Sequence, residues 1–296
     1  MALHLAHAFQ GHRGAVYALH PLVDRRCFLS GGSDGHLVRW DSLKPELGVS
    51  LATLPTPILS ICLLPEGCCV LGDMEGKVWW LTLNEPREIT RVLAHHRKGV
   101  FVLHQVEGNL YSAGGDGYLT RWCPQQMLPQ ESVQVSHQSV RSLAYHPGRD
   151  EFALGCSEGA IRFVDRKTLQ VQASWRDCHV PSVFTLTYTE DGTRLLSGGR
   201  DAQLKVWQRD NGKQANCIAA HRATLNHLLS GPGNDFLFTA SRDHTIRIWN
   251  QDNLELRQTL RGHTHSVNRL LWLDQPGILL SASDDSRIIG WIPTAP

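Results

Sequence analysis

Serine, histidine and aspartate, the residue types of hydrolytic triads, recur at regular spacing along this chain of 296 residues. The first set comprises His12, Ser30 and Asp34. In a triad the histidine accepts the serine proton and the aspartate orients the imidazole, so such a set could catalyse acyl transfer. A triad is normally present once, beside an oxyanion hole. The number of copies therefore distinguishes catalysis from a structural role.

The set occurs five times, and each copy ends in a tryptophan six residues after the aspartate. The copies are His12, Ser30, Asp34 and Trp40; His96, Ser112, Asp116 and Trp122; His179, Ser197, Asp201 and Trp207; His221, Thr239, Asp243 and Trp249; and His263, Ser281, Asp285 and Trp291. Two further copies have leucine at the Ser/Thr position, and leucine or valine at the tryptophan position. Polar residues that are kept or lost together are typical of a buried hydrogen-bond network, because a half-satisfied network is worse than an apolar one. We therefore predict a structural network and no enzymatic activity.

An acidic residue in a turn marks each repeat, and successive markers are 41, 41, 42, 43, 42 and 42 residues apart. The markers are Asp34, Glu75, Asp116, Glu158, Asp201, Asp243 and Asp285. Short alternating runs broken by Gly, Pro, Asp and Asn predict strands and turns throughout. A loop histidine precedes most markers, but the second repeat lacks one and the fourth has His137 without a Ser/Thr or Trp partner. We therefore expect these two repeats to lack the network.

The chain resembles the WD-repeat β-propeller family over its whole length. The resemblance rests on Gly11–His12, Gly262–His263, the Trp40–Asp41 pair and the fixed period. It implies an all-β, seven-bladed propeller of four-stranded antiparallel blades, in one domain spanning residues 1–296. It also implies that each turn aspartate accepts a hydrogen bond from the loop histidine. The histidine is in turn hydrogen-bonded to the Ser/Thr hydroxyl, which accepts the indole N–H of the tryptophan.

The N-terminal segment is predicted to close the ring. Only the five residues IPTAP follow Trp291, so the last blade cannot form its own outer strand. In residues 2–9 the side chains of Leu3, Leu5, His7 and Phe9 alternate with those of His4, Ala6 and Ala8, and a period of two is typical of a strand. We predict that this segment supplies the missing strand and removes the open edge.

Composition argues against several other function classes. The net charge is +1, which gives no general field for nucleic acid or an anionic membrane. No run approaches the roughly 20 apolar residues of a spanning helix. The glycine-rich turns lack the Lys-Ser/Thr of a phosphate-binding loop, and the histidines form no zinc-binding set. We expect no cofactor, no metal, no small-molecule substrate and no membrane contact. Eight irregularly spaced cysteines favour a reduced, cytoplasmic protein.

The resemblance implies that partners contact the residues flanking a buried Val or Leu after each loop histidine, and the residue before each marker. The expected partner-binding residues are Tyr17, Leu59, Met74, Phe101, Arg141, Phe184, Arg200, Asn226, Arg242 and Asn268. We expect a scaffold that binds a protein segment across the channel, its apolar part on blades one to three and its acidic part on blades four to six. There are three alternatives: these side chains pack under loops, the arginines bind RNA, or the central channel holds a ligand or a reaction.

Overall fold

The computed structural model describes residues 2–84 and 87–294, which form strands, turns and short 3-10 turns. Each repeat folds into one antiparallel sheet of four strands, numbered here as blades 1 to 7 in chain order. The 3-10 turns are Pro65–Gly67, Pro147–Arg149 and Pro232–Asn234. No helix in the described part of the chain is long and apolar enough to cross a membrane. The predicted all-β, seven-bladed architecture is confirmed.

The strands of the first four blades follow the sequence order from the centre of the ring outward. Blade 1 contains β2 (Val16–Pro21), β3 (Cys27–Gly32), β4 (His36–Asp41) and β5 (Lys44–Thr53); blade 2 contains β6 (Ile58–Leu63), β7 (Cys68–Asp73), β8 (Lys77–Thr82) and β9 (Glu88–Ala94); blade 3 contains β10 (Val100–Val106), β11 (Asn109–Gly114), β12 (Tyr118–Cys123) and β13 (Leu128–Gln134); blade 4 contains β14 (Val140–His146), β15 (Glu151–Cys156), β16 (Ile161–Asp165) and β17 (Val171–Trp175).

The last three blades repeat this order, except that the outer strand of blade 7 comes from the N-terminus. Blade 5 contains β18 (Val183–Tyr188), β19 (Arg194–Gly199), β20 (Gln203–Gln208) and β21 (Gln214–Ala219); blade 6 contains β22 (Leu225–Ser230), β23 (Phe236–Ser241), β24 (Thr245–Asn250) and β25 (Leu256–Arg261); blade 7 contains β26 (Val267–Leu273), β27 (Ile278–Ser283), β28 (Arg287–Pro293) and β1 (Leu3–Gln10). The innermost strands β2 and β26 contact each other, so the ring is closed.

The N-terminal strand closes the ring as predicted. Strand β1 pairs antiparallel with β28, from Leu3 opposite Pro293 to Gln10 opposite Arg287. Leu3 and Phe9 are almost completely buried. Pairing along β28 satisfies backbone groups that would otherwise form an exposed edge.

Seven apolar clusters join neighbouring blades, one at each junction of the ring. The first residue of every innermost strand is completely buried in these junctions: Val16, Ile58, Val100, Val140, Val183, Leu225 and Val267. Fully burying an aliphatic side chain of this size contributes about 1.5–3 kcal/mol, which makes the junctions a main source of stability. The junctions also fix where the following residue of each strand lies.

A buried ion pair reinforces the junction of blades 4 and 5 at the start of β15. Glu151, which is 2% exposed, accepts from the Arg209 guanidinium and from the Tyr188 hydroxyl at 2.9 Å. The Arg209 Cζ lies 3.9 Å from the centre of the Phe163 ring, a cation–π distance. Residues of blade 5 are thereby bonded to blade 4.

Candidate partner-binding face and central channel

Five blades carry the same hydrogen-bonded series of side chains, which joins a loop to a turn. In blade 1, the Nδ1 atom of His12 lies 2.9 Å from Asp34 and the Nε2 atom lies 2.7 Å from the Ser30 hydroxyl. The indole N–H of Trp40 donates to that hydroxyl at 2.8 Å. The shortest equivalent contacts in blades 3, 5, 6 and 7 measure 2.7–3.0 Å and join His96, Ser112, Asp116 and Trp122; His179, Ser197, Asp201 and Trp207; His221, Thr239, Asp243 and Trp249; and His263, Ser281, Asp285 and Trp291.

The proton positions in these networks follow from the acceptors. A carboxylate only accepts, so the histidine Nδ1 carries a proton and donates it. The other ring nitrogen, Nε2, is hydrogen-bonded to the Ser/Thr hydroxyl, whose oxygen accepts the indole N–H. Burial by itself would raise the pKa of Asp116, but hydrogen bonds from His96 and from the Arg97 backbone outweigh burial and lower this pKa to about 2. The five Ser/Thr side chains are completely buried, which excludes a substrate from their hydroxyls.

Blade 2 has a network of its own, which the sequence comparison missed. The expected marker Glu75 is exposed, and its carboxylate pairs with Lys77 at 2.7 Å. The buried acid is Asp73, which accepts from the Thr56 hydroxyl at 2.7 Å and from the Trp79 indole at 2.9 Å. Asp73 also accepts the backbone N–H groups of Glu75 and Lys77 at 2.9 and 2.8 Å. Blade 2 therefore lacks the predicted set of His, Ser/Thr, Asp and Trp, as expected, and contains a different buried polar network centred on Asp73.

Blade 4 also departs from the expected arrangement. His137 is exposed, and the loop position that histidine occupies in other blades is taken by the buried Ser136. The Ser136 hydroxyl donates to Glu158 at 2.7 Å, and Glu158 pairs with Arg162 at 2.8 Å. Serine is shorter than the histidine of other blades, but it reaches the turn because Glu158 is one methylene longer than their aspartate. The assignment of His137 to the loop position is therefore corrected.

These networks define one face of the ring, called here the mouth: the loops before the innermost strands and the turns between the second and third strands. The sequence-predicted partner residues lie at this face or just inside the channel. Met74 is 44% exposed, and Arg200 and Arg242 are exposed. Tyr17 is half-buried, and burial together with the nearby Asp284 raises its pKa. Leu59, Phe101, Arg141 and Phe184 line the channel below.

Arg141 is held inside the channel wall. Its Cζ lies 4.4 Å from the Phe101 ring centre and 5.3 Å from that of Phe184, so rings from blades 3 and 5 enclose it. Its Nε donates to the Ser157 hydroxyl at 3.2 Å. Burial lowers the pKa of Arg141. Arg141 is expected from the sequence to bind a partner together with Arg200 and Arg242, whereas in the structure it packs between the two phenylalanines.

Asn226 and Asn268 connect neighbouring blades. The Asn226 amide donates to the Val267 carbonyl at 2.8 Å, and the Asn268 amide donates to the Val16 carbonyl at 3.0 Å. Asn268 also donates to Asp284 at 2.7 Å. These amide N–H groups are used within the ring, which makes the two side chains structural links between blades 6, 7 and 1.

Exposed arginines surround the mouth. Besides Arg200 and Arg242, the residues after three loop histidines are exposed arginines: Arg13, Arg97 and Arg222. Their backbone N–H groups donate to the turn aspartates at 2.9–3.0 Å, which fixes them on this face. None of these five guanidinium groups has a hydrogen bond or ion pair with a described residue. The face therefore presents cations that are free to bind.

A second cationic group lies deeper, in a channel cavity of about 120 Å³. Two arginines and two histidines line it, Arg141, Arg269, His104 and His227, and the described lining residues include no aspartate or glutamate. Burial lowers the pKa of Arg269, although the side chain is exposed to the space of the channel. Burial, and then the charge of Arg269, lower the pKa of His104 to about 4. In the described chain no three His, Cys, Asp or Glu side chains form a metal-binding group.

The comparisons with known families agree with this architecture. The family model of the Nucleoporin Nup120/160 beta-propeller domain matches residues 92–267, more than half of the chain. The WD domain, G-beta repeat model matches residues 4–41 and 254–291. The chain belongs to the WD-repeat β-propeller family. The WD40 β-propeller domain of Doa1 superimposes on this propeller with a TM-score of 0.87 and 19% identity, covering 99% of this chain and 97% of that chain.

Similar curated proteins are longer than this propeller. WD repeat-containing protein 90 of Xenopus tropicalis is 27% identical over 167 residues, which are 52% of this chain and 9% of that protein. Striatin-4 of Mus musculus is 26% identical over 218 residues, which are 74% of this chain and 24% of that protein. This chain therefore spans less than a quarter of either relative.

Proposed function

We propose that this propeller is a non-catalytic scaffold that binds an acidic segment of another protein across its mouth. The observation that carries the proposal is the set of exposed arginines, above all Arg200 and Arg242 on neighbouring blades. Arginine is enriched at interface hot spots, and an unpaired guanidinium can form two parallel bonds with one carboxylate. The WD-repeat family and relatives such as striatin-4 are consistent with a protein-interaction scaffold.

The apolar side of the mouth provides a second contact. Met74 is 44% exposed on blade 2, and Leu59 and Tyr17 are half-buried beside the channel. Methionine adapts its shape to different apolar partners because its side chain is unbranched and polarisable. We expect the apolar part of the partner segment on blades 1 and 2, and its acidic part on blades 5 and 6.

Charge reversal tests this proposal. Proteins captured from a lysate by wild type are compared with those captured by Arg200→Glu/Arg242→Glu. The matched control is Lys44→Glu/Lys213→Glu, which makes the same change in net charge on exposed side chains at turns between the third and fourth strands, away from the mouth. We expect the mouth variant to lose partners that the control retains. Equal retention by both variants would contradict the proposal, and loss on ribonuclease treatment would indicate an RNA-bridged complex instead.

We also propose a cytoplasmic location. All eight cysteines are free thiols in the structure, and Cys217 is exposed. An exposed thiol is compatible with a reducing compartment, where glutathione keeps cysteines reduced. Imaging of a fluorescent fusion tests the location, and accumulation in the nucleus would contradict it.

A further inference from the structure

The cationic cavity in the channel is built from residues on opposite sides of the ring. Arg269 and His227 occupy the same position, two residues after the buried Val or Leu, on the adjacent blades 7 and 6. His104 comes from blade 3, across the channel, and lines the same cavity. His20 of blade 1 is also within reach of the charge of Arg269. The charge of Arg269 thus lowers the pKa of histidines on blades 1, 3 and 6.

Two side chains in this cavity, Arg269 and His227, have N–H donors without an acceptor among the described residues. Arg269 has no hydrogen bond or ion pair with a described residue. The Nδ1 atom of His227 accepts the Leu270 backbone N–H at 3.3 Å, so the neutral ring carries its proton on Nε2. That N–H has no acceptor among the described residues, and His227 lines the cavity. By contrast, His20 uses both ring nitrogens, on the Pro21 carbonyl at 2.8 Å and the Leu63 N–H at 3.4 Å.

Two guanidinium groups line one cavity with no carboxylate among its described lining residues, and an anion is the group that would compensate their charge. Phenylalanines and Arg141 line the mouth side of the cavity, so both arginines contribute a positive potential to it. Desolvation and the neighbouring Arg269 lower the pKa of His227, which keeps this ring neutral and able to donate one N–H. Neutral imidazole and guanidinium together offer several donors to one oxyanion.

We propose that the central channel is a binding site for a small oxyanion, held by the Arg269 guanidinium and the Nε2–H of His227, with His104 on the opposite wall. The cavity has a volume of about 120 Å³, whereas one water needs only about 10–15 Å³ on this measure. That volume admits a single ion or one carboxylate group. The oxyanion has two possible sources, a free ion or a carboxylate on a partner segment that enters through the mouth.

Sulfate is the probe for the test, because its charge is constant around neutral pH. Thermal unfolding is followed at pH 7.0 with increasing sulfate, for wild type and for Arg269→Gln. At a sulfate concentration ten times Kd, binding raises the ratio of folded to unfolded protein about 11-fold. Sulfate also stabilises proteins generally by exclusion from their surfaces, and this effect is common to both proteins. We expect a saturable component in wild type that Arg269→Gln lacks.

Two further variants separate binding from folding. Arg200→Gln removes an exposed arginine from the mouth and serves as the matched control, which retains the saturable component. His227→Leu keeps Arg269 and removes the N–H donor, so we expect sulfate affinity about tenfold lower. The histidine ring protons are followed by NMR in the same titration. Saturable shifts confined to the rings of the channel support the site.

Identical sulfate responses of wild type and Arg269→Gln, by unfolding and by NMR, would overturn the proposal. Acetate is titrated in parallel. Acetate that shifts the same rings identifies a carboxylate as sufficient, and sulfate binding alone identifies a requirement for a dianion. The Arg200→Glu/Arg242→Glu variant distinguishes this site from the proposed partner face, because it should bind sulfate normally even where partner capture fails.

Discussion

Replacing Asp73 by alanine is expected to destabilise the propeller far more than replacing Glu75, its exposed neighbour in the same turn. Asp73 is completely buried and accepts four hydrogen bonds, from the Thr56 hydroxyl, the Trp79 indole and two backbone N–H groups. Alanine leaves all four donors without their acceptor. Among the described residues, the Glu75 carboxylate pairs with the Lys77 ammonium at the surface and with no other group.

The magnitude follows from the donors that lose their acceptor. A buried donor left unsatisfied costs about 1–3 kcal/mol, and water entering the vacated space recovers part of this. At the lower limit, four donors give a loss of about 4 kcal/mol. For a chain of this size 1 kcal/mol shifts Tm by about 2 °C, so Asp73→Ala should lower Tm by about 8 °C. An exposed ion pair contributes little, so Glu75→Ala should leave Tm within about 2 °C of wild type.

Differential scanning calorimetry of the two variants measures this difference. Hydrogen exchange supplies a local readout, because the Glu75 and Lys77 backbone N–H groups donate to Asp73. Their exchange should accelerate in Asp73→Ala and remain slow in Glu75→Ala. Equal melting temperatures in the two variants, or a larger loss in Glu75→Ala, would refute the assignment of the buried network to Asp73.

Three further predictions concern stability. The pKa of Asp116 in the folded protein is about 2, below the ordinary 3.8, so its contribution to the free energy of unfolding is complete above about pH 4 and is lost as pH falls toward 2. In urea unfolding between pH 2 and 5, the stability of Asp116→Ala should therefore depend less on pH than that of wild type. Deleting residues 1–10 removes β1 with the buried Leu3 and Phe9 and exposes the edge of β28. Calorimetry should show a Tm lower by at least about 10 °C, and gel filtration should show association through β28. An unchanged melting curve would contradict the closure of the ring by β1. Glu151→Ala leaves Arg209 unpaired at a cost of about 3–5 kcal/mol in urea unfolding, whereas Asp252→Ala, at an 85% exposed side chain, should match wild type.

Much of the fold could be predicted from local pattern. The period of 41–43 residues, the repeated Ser/Thr, His, Asp and Trp positions and the alternating N-terminal segment led to seven blades and their closure. The network positions in blades 1, 3, 5, 6 and 7 could be predicted because the same spacing of Ser/Thr, Asp and Trp occurs five times. The pattern was misleading where a repeat had diverged. In blade 2 an exposed Glu75 kept the marker position while a buried Asp73 formed the bonds.

The sequence by itself determined the repeat, the four-stranded architecture of the blades and the candidate positions around the mouth, because these depend on spacing within one repeat. Only the tertiary structure decided which of those side chains are free. It placed Arg141 between Phe101 and Phe184, bound the amides of Asn226 and Asn268 to neighbouring blades, and left Arg200 and Arg242 exposed. It also brought Arg269 together with His104, which is 165 residues away in the sequence. The physical reason is that the channel is formed where one strand from each repeat meets the others, so its charge and its free donors depend on contacts between blades that no single repeat encodes.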